Sequence, residues 1–239
     1  TTTHLLEFVS MVNPVQTQKQ LECASVLSTL QEAYGPANWR IGYEPISELV
    51  FTILTQNTSD RNAERAFAKL TTHFPSMDQI LHASVGEIKP LIAEAGLSNI
   101  KAPRIKNALE TIKDRRGSLD LWFLKSVTPQ QAKEWLMSID GVGPKTAAVV
   151  LCLSLGVPAL PVDTHVLRVS KRLGLIESHI SAEKAHVLLE TLVRPSDMLE
   201  FHMQIIRHGR TVCHSRSPQC QVCPLSSSCT YAKDFSLNS

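Results

Sequence analysis

The chain has 239 residues, 43% of them hydrophobic and 19% charged, which is enough apolar material for one large core or two small ones. With 5% aromatics, 10 glycines and 13 prolines, the composition excludes collagen-like, low-complexity and disordered classes, and a formal net charge of +2 does not by itself announce a nucleic-acid binder. No apolar run reaches the length of a membrane span, and residues 1–14, TTTHLLEFVSMVNP, lack the basic head and long apolar stretch of a secretory signal, so a cytoplasmic protein without a membrane partner is expected.

In chain order, apolar residues recur three and four apart in LECASVLSTLQEAYG, ISELVFTILTQNTS, NAERAFAKLTTHF, SVGEIKPLIAEAG, APRIKNALETIKDRRG, TPQQAKEWLMSI, HVLRVSKRLGLI, SAEKAHVLLETLV and PSDMLEFHMQIIRHG. That spacing predicts helices of about 10 to 15 residues, as in globular bundles. Ser47, Ser84, Thr128, Ser181 and Ser196 stand where helices should start, and Gly35, Gly96, Gly117 and Gly209 where they should stop. No stretch alternates like a strand, so the fold class is all-α. The prolines of GVPALPVD, Pro158 and Pro161, mark the expected domain junction. No heptad seam appears, which predicts a monomer.

Residues 136–163, LMSIDGVGPKTAAVVLCLSLGVPALPVD, read as helix, hairpin, helix, followed by an aspartate, Asp163. Gly141 and Gly143 supply positions that tolerate positive φ and let another molecule approach the backbone amides, which suit a phosphate. Lys145 falls in the first turn of the second helix, where a cation opposes the helix dipole. That position lowers the cost of a neutral amine, and a neutral lysine is a nucleophile. The same turn also fits a solvated surface lysine.

Four of the six cysteines, Cys213, Cys220, Cys223 and Cys229, form a C-x6-C-x2-C-x5-C loop of seventeen residues. In a reducing compartment such thiolates read as metal ligands, and four of them suit either zinc or a [4Fe-4S] cluster. Cys23 and Cys152 lie in apolar helical stretches and read as small buried hydrophobes. Basic residues gather in three stretches: Lys101, Arg104, Lys106, Lys113, Arg115 and Arg116, then Arg168, Lys171 and Arg172, then Arg207, His208, Arg210, His214 and Arg216. Each fits a solvated face, and together they permit a surface that grips phosphates.

Three motifs follow one another: GVGPKTA, PVDTH at 161–165, and HGRTVC leading into the cysteine loop. With ILTQNTSDRNA near residue 53 and AGLSNIKAPRI near residue 95, the stretch from about residue 40 to 232 resembles the endonuclease III family of DNA glycosylases, in the helix-hairpin-helix superfamily. The resemblance implies a six-helix barrel-like domain over 37–157 carrying the hairpin, and an iron-sulfur domain built from both termini, 1–36 and 158–239. It implies that Lys145 is the nucleophile, that Asp163 activates it and stabilises charge on the sugar, and that Cys213, Cys220, Cys223 and Cys229 hold a [4Fe-4S] cluster. Gln56 corresponds to a side chain that fills the gap left by a flipped base, and Leu97 to an apolar wedge. The amides of Gly141, Gly143 and Lys145 would hold a phosphate, and the carbonyls of Met137, Ile139 and Val142 a monovalent cation. The implied partner is double-stranded DNA with a damaged base or abasic site, and the implied location the nucleoid.

The implied reaction is excision of an oxidised pyrimidine by Lys145 attack at C1′, followed by β-elimination 3′ to the abasic site. Alternatives are a monofunctional mismatch or alkylated-base glycosylase, a non-catalytic DNA-binding module, and an iron-sulfur electron carrier. The chain reads Gln56-Asn57-Thr58-Ser59-Asp60 where familiar members read Gln-Ala-Thr-Asp, so substrate preference is open. Leu121-Trp122-Phe123 is expected in the core, His165 as a satisfied helix-start residue, and Arg168 beside the aspartate or a phosphate.

Overall fold

Helix follows helix, with no strand, through residues 14–37 and 42–237, the part of the chain that the computed structural model describes. The reading of the N-terminal segment as free of a secretory signal falls on residues 1–13, outside the described residues. The helices are α1 (Pro14–Tyr34), α2 (Pro45–Thr55), α3 (Asp60–His73), α4 (Met77–His82), α5 (Val85–Leu91), α6 (Ser98–Arg116), α7 (Pro129–Met137), α8 (Pro144–Val149), α9 (Thr164–Leu173), α10 (Ala182–Leu192), α11 (Met198–Thr211) and α12 (Thr230–Leu237). They divide into two compact units, Trp39–Pro161 with α2 to α8, and Thr1–Asn38 with Val162–Ser239, which carries α1 and α9 to α12.

Helix α2 organises the first unit because its sequence, PISELVFTILT, is apolar on nearly every side, and a helix that is apolar all round is buried. Leu49, Val50, Ile53 and Leu54 are fully enclosed. They pack with Ile105 and Leu109 of α6, Leu136 of α7 and Ala147 and Ala148 of α8 in one core. The buried carboxylate of Glu48 accepts the Tyr43 amide at 2.9 Å. Helix α8 runs on into a π-helical turn, Val150–Ser154, and the backbone passes so close there that a Cβ on Gly42 would collide with the Leu153 carbonyl. In the second unit α9 packs on α11, and α1 on α10 and α11.

Several expected helix ends are observed and several are displaced. Ser84 and Thr128 close full capping boxes with Glu87 and Gln131, and Ser181 accepts the Lys184 amide. Gly117 ends α6 in the left-handed conformation. Ser47 instead lies inside α2, which begins at Pro45, because proline is preorganised for the first helical position and needs no hydrogen-bonded N–H there. Ser196 sits within a 3-10 turn, Pro195–Asp197, ahead of α11. Gly96 follows a 3-10 turn, Ala93–Ala95, rather than an α-helix. Gly209 does not stop α11; it permits a close approach to α9, since a Cβ there would lie 3.0 Å from the His165 ring.

Candidate active site and cysteine loop

In the first unit, α7 leads through Ser138 into a turn closed by the Val142 amide on the Ile139 carbonyl at 3.1 Å. Gly141 has φ +79°, a conformation that L side chains rarely adopt. Gly143 does not need that freedom: its φ of −90° and ψ of 177° are extended backbone open to any residue. What Gly143 provides is room, because nothing lies within 4 Å of the place its Cβ would occupy. Pro144 then starts α8, and Lys145 is its second residue, half-buried, while Thr146, Ala147 and Ala148 are buried. The nucleophile candidate therefore stands beside an open turn on a helix anchored by its other face.

Gln56 and Leu97 both occupy special backbone. Gln56 ends α2, and Asn57 after it takes φ +54°, which asparagine tolerates. Ser59 then caps α3, so the QNTSD segment is a stop, a turn and a start in five residues. The Gln56 side chain reaches the hairpin: its Nε2 donates to the Gly141 carbonyl at 3.3 Å and to Thr146 Oγ1 at 3.5 Å. Leu97 caps α6 in the left-handed region, φ 51° and ψ 32°, and remains 50% exposed. A bulky side chain held in strained backbone and facing solvent is outside the core pattern.

Two residues of α6 that the sequence offered only as part of a basic stretch support this arrangement. Lys101 is 1% exposed, and its ammonium donates to the Leu54 carbonyl at 2.8 Å and the Ala95 carbonyl at 2.7 Å. Burial pushes its pKa below the ordinary lysine value. Arg104 Nη1 donates to Gln56 Oε1 at 3.1 Å. The signal for Lys101 was present in the pattern: it stands four residues before Ile105 and seven before Ala108, on the apolar stripe of α6.

The rest of the first basic stretch is also engaged within the fold. Lys106 bonds the Leu81 carbonyl and pairs with Glu110, Lys113 pairs with Asp78, Arg115 bonds Ser138, and the Arg116 guanidinium lies over the Phe123 ring. Arg115 and Arg116 remain exposed while making these contacts. Of Leu121-Trp122-Phe123, Leu121 is buried and Phe123 packs against Trp135, whereas Trp122 is 46% exposed with its indole N–H on Glu44.

In the second unit, Asp163 caps α9, its Oδ1 accepting the Val166 amide at 2.7 Å. His165 is half-buried, its pKa lowered first by burial while the Asp163 charge pulls the other way. Its Nδ1 meets Arg168 Nη2 at 3.0 Å, so the imidazole has the partner expected of a satisfied helix-start residue. Arg168 itself does not turn to Asp163; it bonds the carbonyls of Gly209 and Cys213.

Cys213, Cys220, Cys223 and Cys229 line one recess, walled by Val169, Leu173 and Val212. Among the described residues no group of three or more His, Cys, Asp or Glu side chains converges as the ligands of a single metal ion would. Burial raises the pKa of Cys223 and Cys229, and the neighbouring cysteine charges raise both further. Two residues that the sequence offered only as members of basic stretches meet the cysteines: Arg172 Nη1 reaches Cys213 Sγ at 3.3 Å, and His208 Nε2 lies 3.7 Å from Cys223 Sγ with Tyr34 Oη on its Nδ1 at 2.7 Å. Burial pushes His208 down to about 4, so its imidazole is neutral. Cys23 and Cys152 are buried elsewhere, each pushed up to about 12.

The family model of the HhH-GPD superfamily base excision DNA repair protein matches residues 50–195. The chain is 38% identical to Endonuclease III of Sulfolobus acidocaldarius over 188 residues, covering 78% of this chain and 82% of that protein. It is 31% identical to Endonuclease III of Synechocystis over 226 residues, covering 94% and 98%. Among solved structures it is similar to a trapped Endonuclease III–DNA covalent intermediate, with TM-score 0.79, 26% identity, and coverage of 91% of this chain and 98% of that one. The hairpin with its lysine, the capping aspartate and the cysteine recess thus occur in a chain that belongs to the HhH-GPD superfamily of base excision DNA repair proteins, and within it to the endonuclease III family.

Proposed function

We propose that this chain, a base-excision DNA glycosylase and AP lyase of the endonuclease III family, uses Lys145 as its nucleophile, Asp163 as its catalytic carboxylate, and oxidised pyrimidines as its substrates. The observation that carries the assignment is the setting of Lys145: half-buried, on the first turn of α8, two residues after Gly143, which has open space where a Cβ would stand. That a structural neighbour forms a trapped covalent intermediate with DNA supports an amine nucleophile here.

A glycosidic bond inside the duplex is out of reach of any side chain, so the damaged nucleotide must leave the stack first. Leu97 enters the duplex as a wedge, since it is exposed and held in place by its own backbone, and Gln56 occupies the gap. The amides of Gly141, Gly143 and Lys145 hold a backbone phosphate, a contact that positions the duplex without reading sequence. The carbonyls of Met137, Ile139 and Val142 add a site for a monovalent cation. Lys145 Nζ forms a bond to C1′ as the base departs with the electrons of the glycosidic bond. Asp163, a carboxylate, stabilises positive charge on the sugar as that bond breaks. Cleavage of the C1′–O4′ bond, with a proton passing from the nitrogen to O4′, opens the sugar and forms the Schiff base; this makes the C2′ proton acidic, and its removal expels the 3′ phosphate by β-elimination.

The cysteine recess fits a [4Fe-4S] cluster. All four cysteine side chains line one recess, a donor set of four sulfurs that suits zinc or a [4Fe-4S] cluster, and membership of the endonuclease III family favours the cluster. The cluster would serve as a structural tie for the loop, held by Cys213, Cys220, Cys223 and Cys229, with Arg172 and His208 against two of the sulfurs.

A duplex carrying thymine glycol, incubated with the protein and resolved without alkali or heat, tests the reading. Strand cleavage that disappears in Lys145→Ala supports it. Base release without cleavage assigns water as the nucleophile and a monofunctional mechanism.

A further inference from the structure

Arg104 is half-buried on α6, and its side chain does two things at once. Its Nη1 donates to Gln56 Oε1 at 3.1 Å. Its stem lies across the hairpin glycine: a Cβ on Gly141 would stand 2.9 Å from Arg104 Cδ and 3.2 Å from Nε. The nitrogen end of the same Gln56 amide is held by the Gly141 carbonyl at 3.3 Å and Thr146 Oγ1 at 3.5 Å. One amide group therefore joins three segments: the end of α2, α6 and the hairpin.

The chemistry of the two groups fixes the orientation. A guanidinium can only donate, so the Gln56 oxygen must face Arg104, which leaves the NH2 for the hairpin. A lysine could supply the charge but not the planar fork that bonds Gln56 while its stem rests on Gly141. The absence of a side chain at Gly141 is what gives the arginine stem its path.

We propose that Arg104 is a positioning residue for lesion extrusion. It holds the Gln56 side chain in one orientation against the hairpin, ready to fill the gap left by the base. This rests on the reading of Gln56 as the gap-filling residue. Arg104 touches neither C1′ nor the departing base; it acts through Gln56.

A double-mutant cycle of Arg104→Ala and Gln56→Ala tests the coupling. Single-turnover base release from a thymine-glycol duplex is compared with strand cleavage of a preformed abasic duplex, where no base has to be extruded. Base release is expected to fall about 10-fold in Arg104→Ala but less than about twofold when the same change is made in Gln56→Ala, since contacting pairs couple at this scale. Abasic cleavage should stay within about twofold of the parent, and Arg104→Lys should recover little of the lost release. Equal losses in both backgrounds, or full rescue by lysine, would overturn the proposal in favour of a simple phosphate contact. If Gln56→Ala leaves base release unchanged, the gap-filling reading fails and Arg104 has nothing to position. The urea midpoint of the same four proteins reports the Arg104–Gln56 contact independently of activity, and so separates a missing contact from a mistaken role for Gln56.

Discussion

Lys101→Met is the substitution in which the packing argument can be checked most sharply. The Leu54 carbonyl is in the last turn of α2 and the Ala95 carbonyl ends a 3-10 turn, and the hydrogen bonds observed around both leave these oxygens to the lysine. The ammonium thus caps two helical ends, whose unsatisfied carbonyls and negative dipole ends both favour a cation. Methionine keeps the length and apolar stem but strands two buried acceptors at about 1–3 kcal/mol each. Relief from burying the ammonium offsets part of that loss, as the lowered pKa of Lys101 indicates. The expected net destabilisation is about 2–3 kcal/mol, measured by urea unfolding, with a fall of roughly 4–12 °C in Tm for a chain of this size. A change below about 0.5 kcal/mol would refute the claim that the two carbonyls depend on this amine.

Asp163→Asn should unfold within about 0.5 kcal/mol of the parent because asparagine caps a helix as well as aspartate, yet base release should fall at least about 100-fold; Asp163→Ala should lose about 1 kcal/mol besides. Retained excision in the asparagine variant would remove the carboxylate from the mechanism. Gly141→Ala should destabilise by about 1–2 kcal/mol, given its positive φ and the Arg104 stem against it, whereas Gly143→Ala should leave the urea midpoint unchanged and weaken duplex binding alone. Because burial lowers the folded pKa of His165, the unfolded chain takes up that proton first. Its contribution to stability is complete above pH 6.5 and is lost as pH falls from there through the folded value. His165→Gln should therefore show a flatter loss of stability between pH 7 and pH 5 than the parent, and identical slopes would contradict the assignment.

The sequence carried the helical fold and the order of the site motifs, because helix periodicity, caps and short motifs are local. Thr128, Ser84 and Ser181 could be read from their three-residue relation to Gln131, Glu87 and Lys184. What escaped was long-range. Arg104 meets Gln56 across 48 positions, and Arg168 and Arg172 reach a loop more than 40 residues away. Charge counting treated these cations as a free surface, whereas most of them bond carbonyls or aromatic rings within the fold. Trp122 was misplaced because an apolar tripeptide looks like core, while its 3-10 turn faces it outward and leaves only Leu121 fully enclosed. Gly143 was read as supplying both positive φ and room for a close approach, and the backbone shows only the room.

Borohydride reduction of the protein on an abasic duplex, followed by proteolysis and mass spectrometry of the trapped chain, locates the attacking amine. The expected adduct is on the peptide containing Lys145, and it should vanish in Lys145→Ala while duplex binding persists. An adduct on any other amine, or undiminished trapping in that variant, would contradict the assignment of Lys145 as the nucleophile.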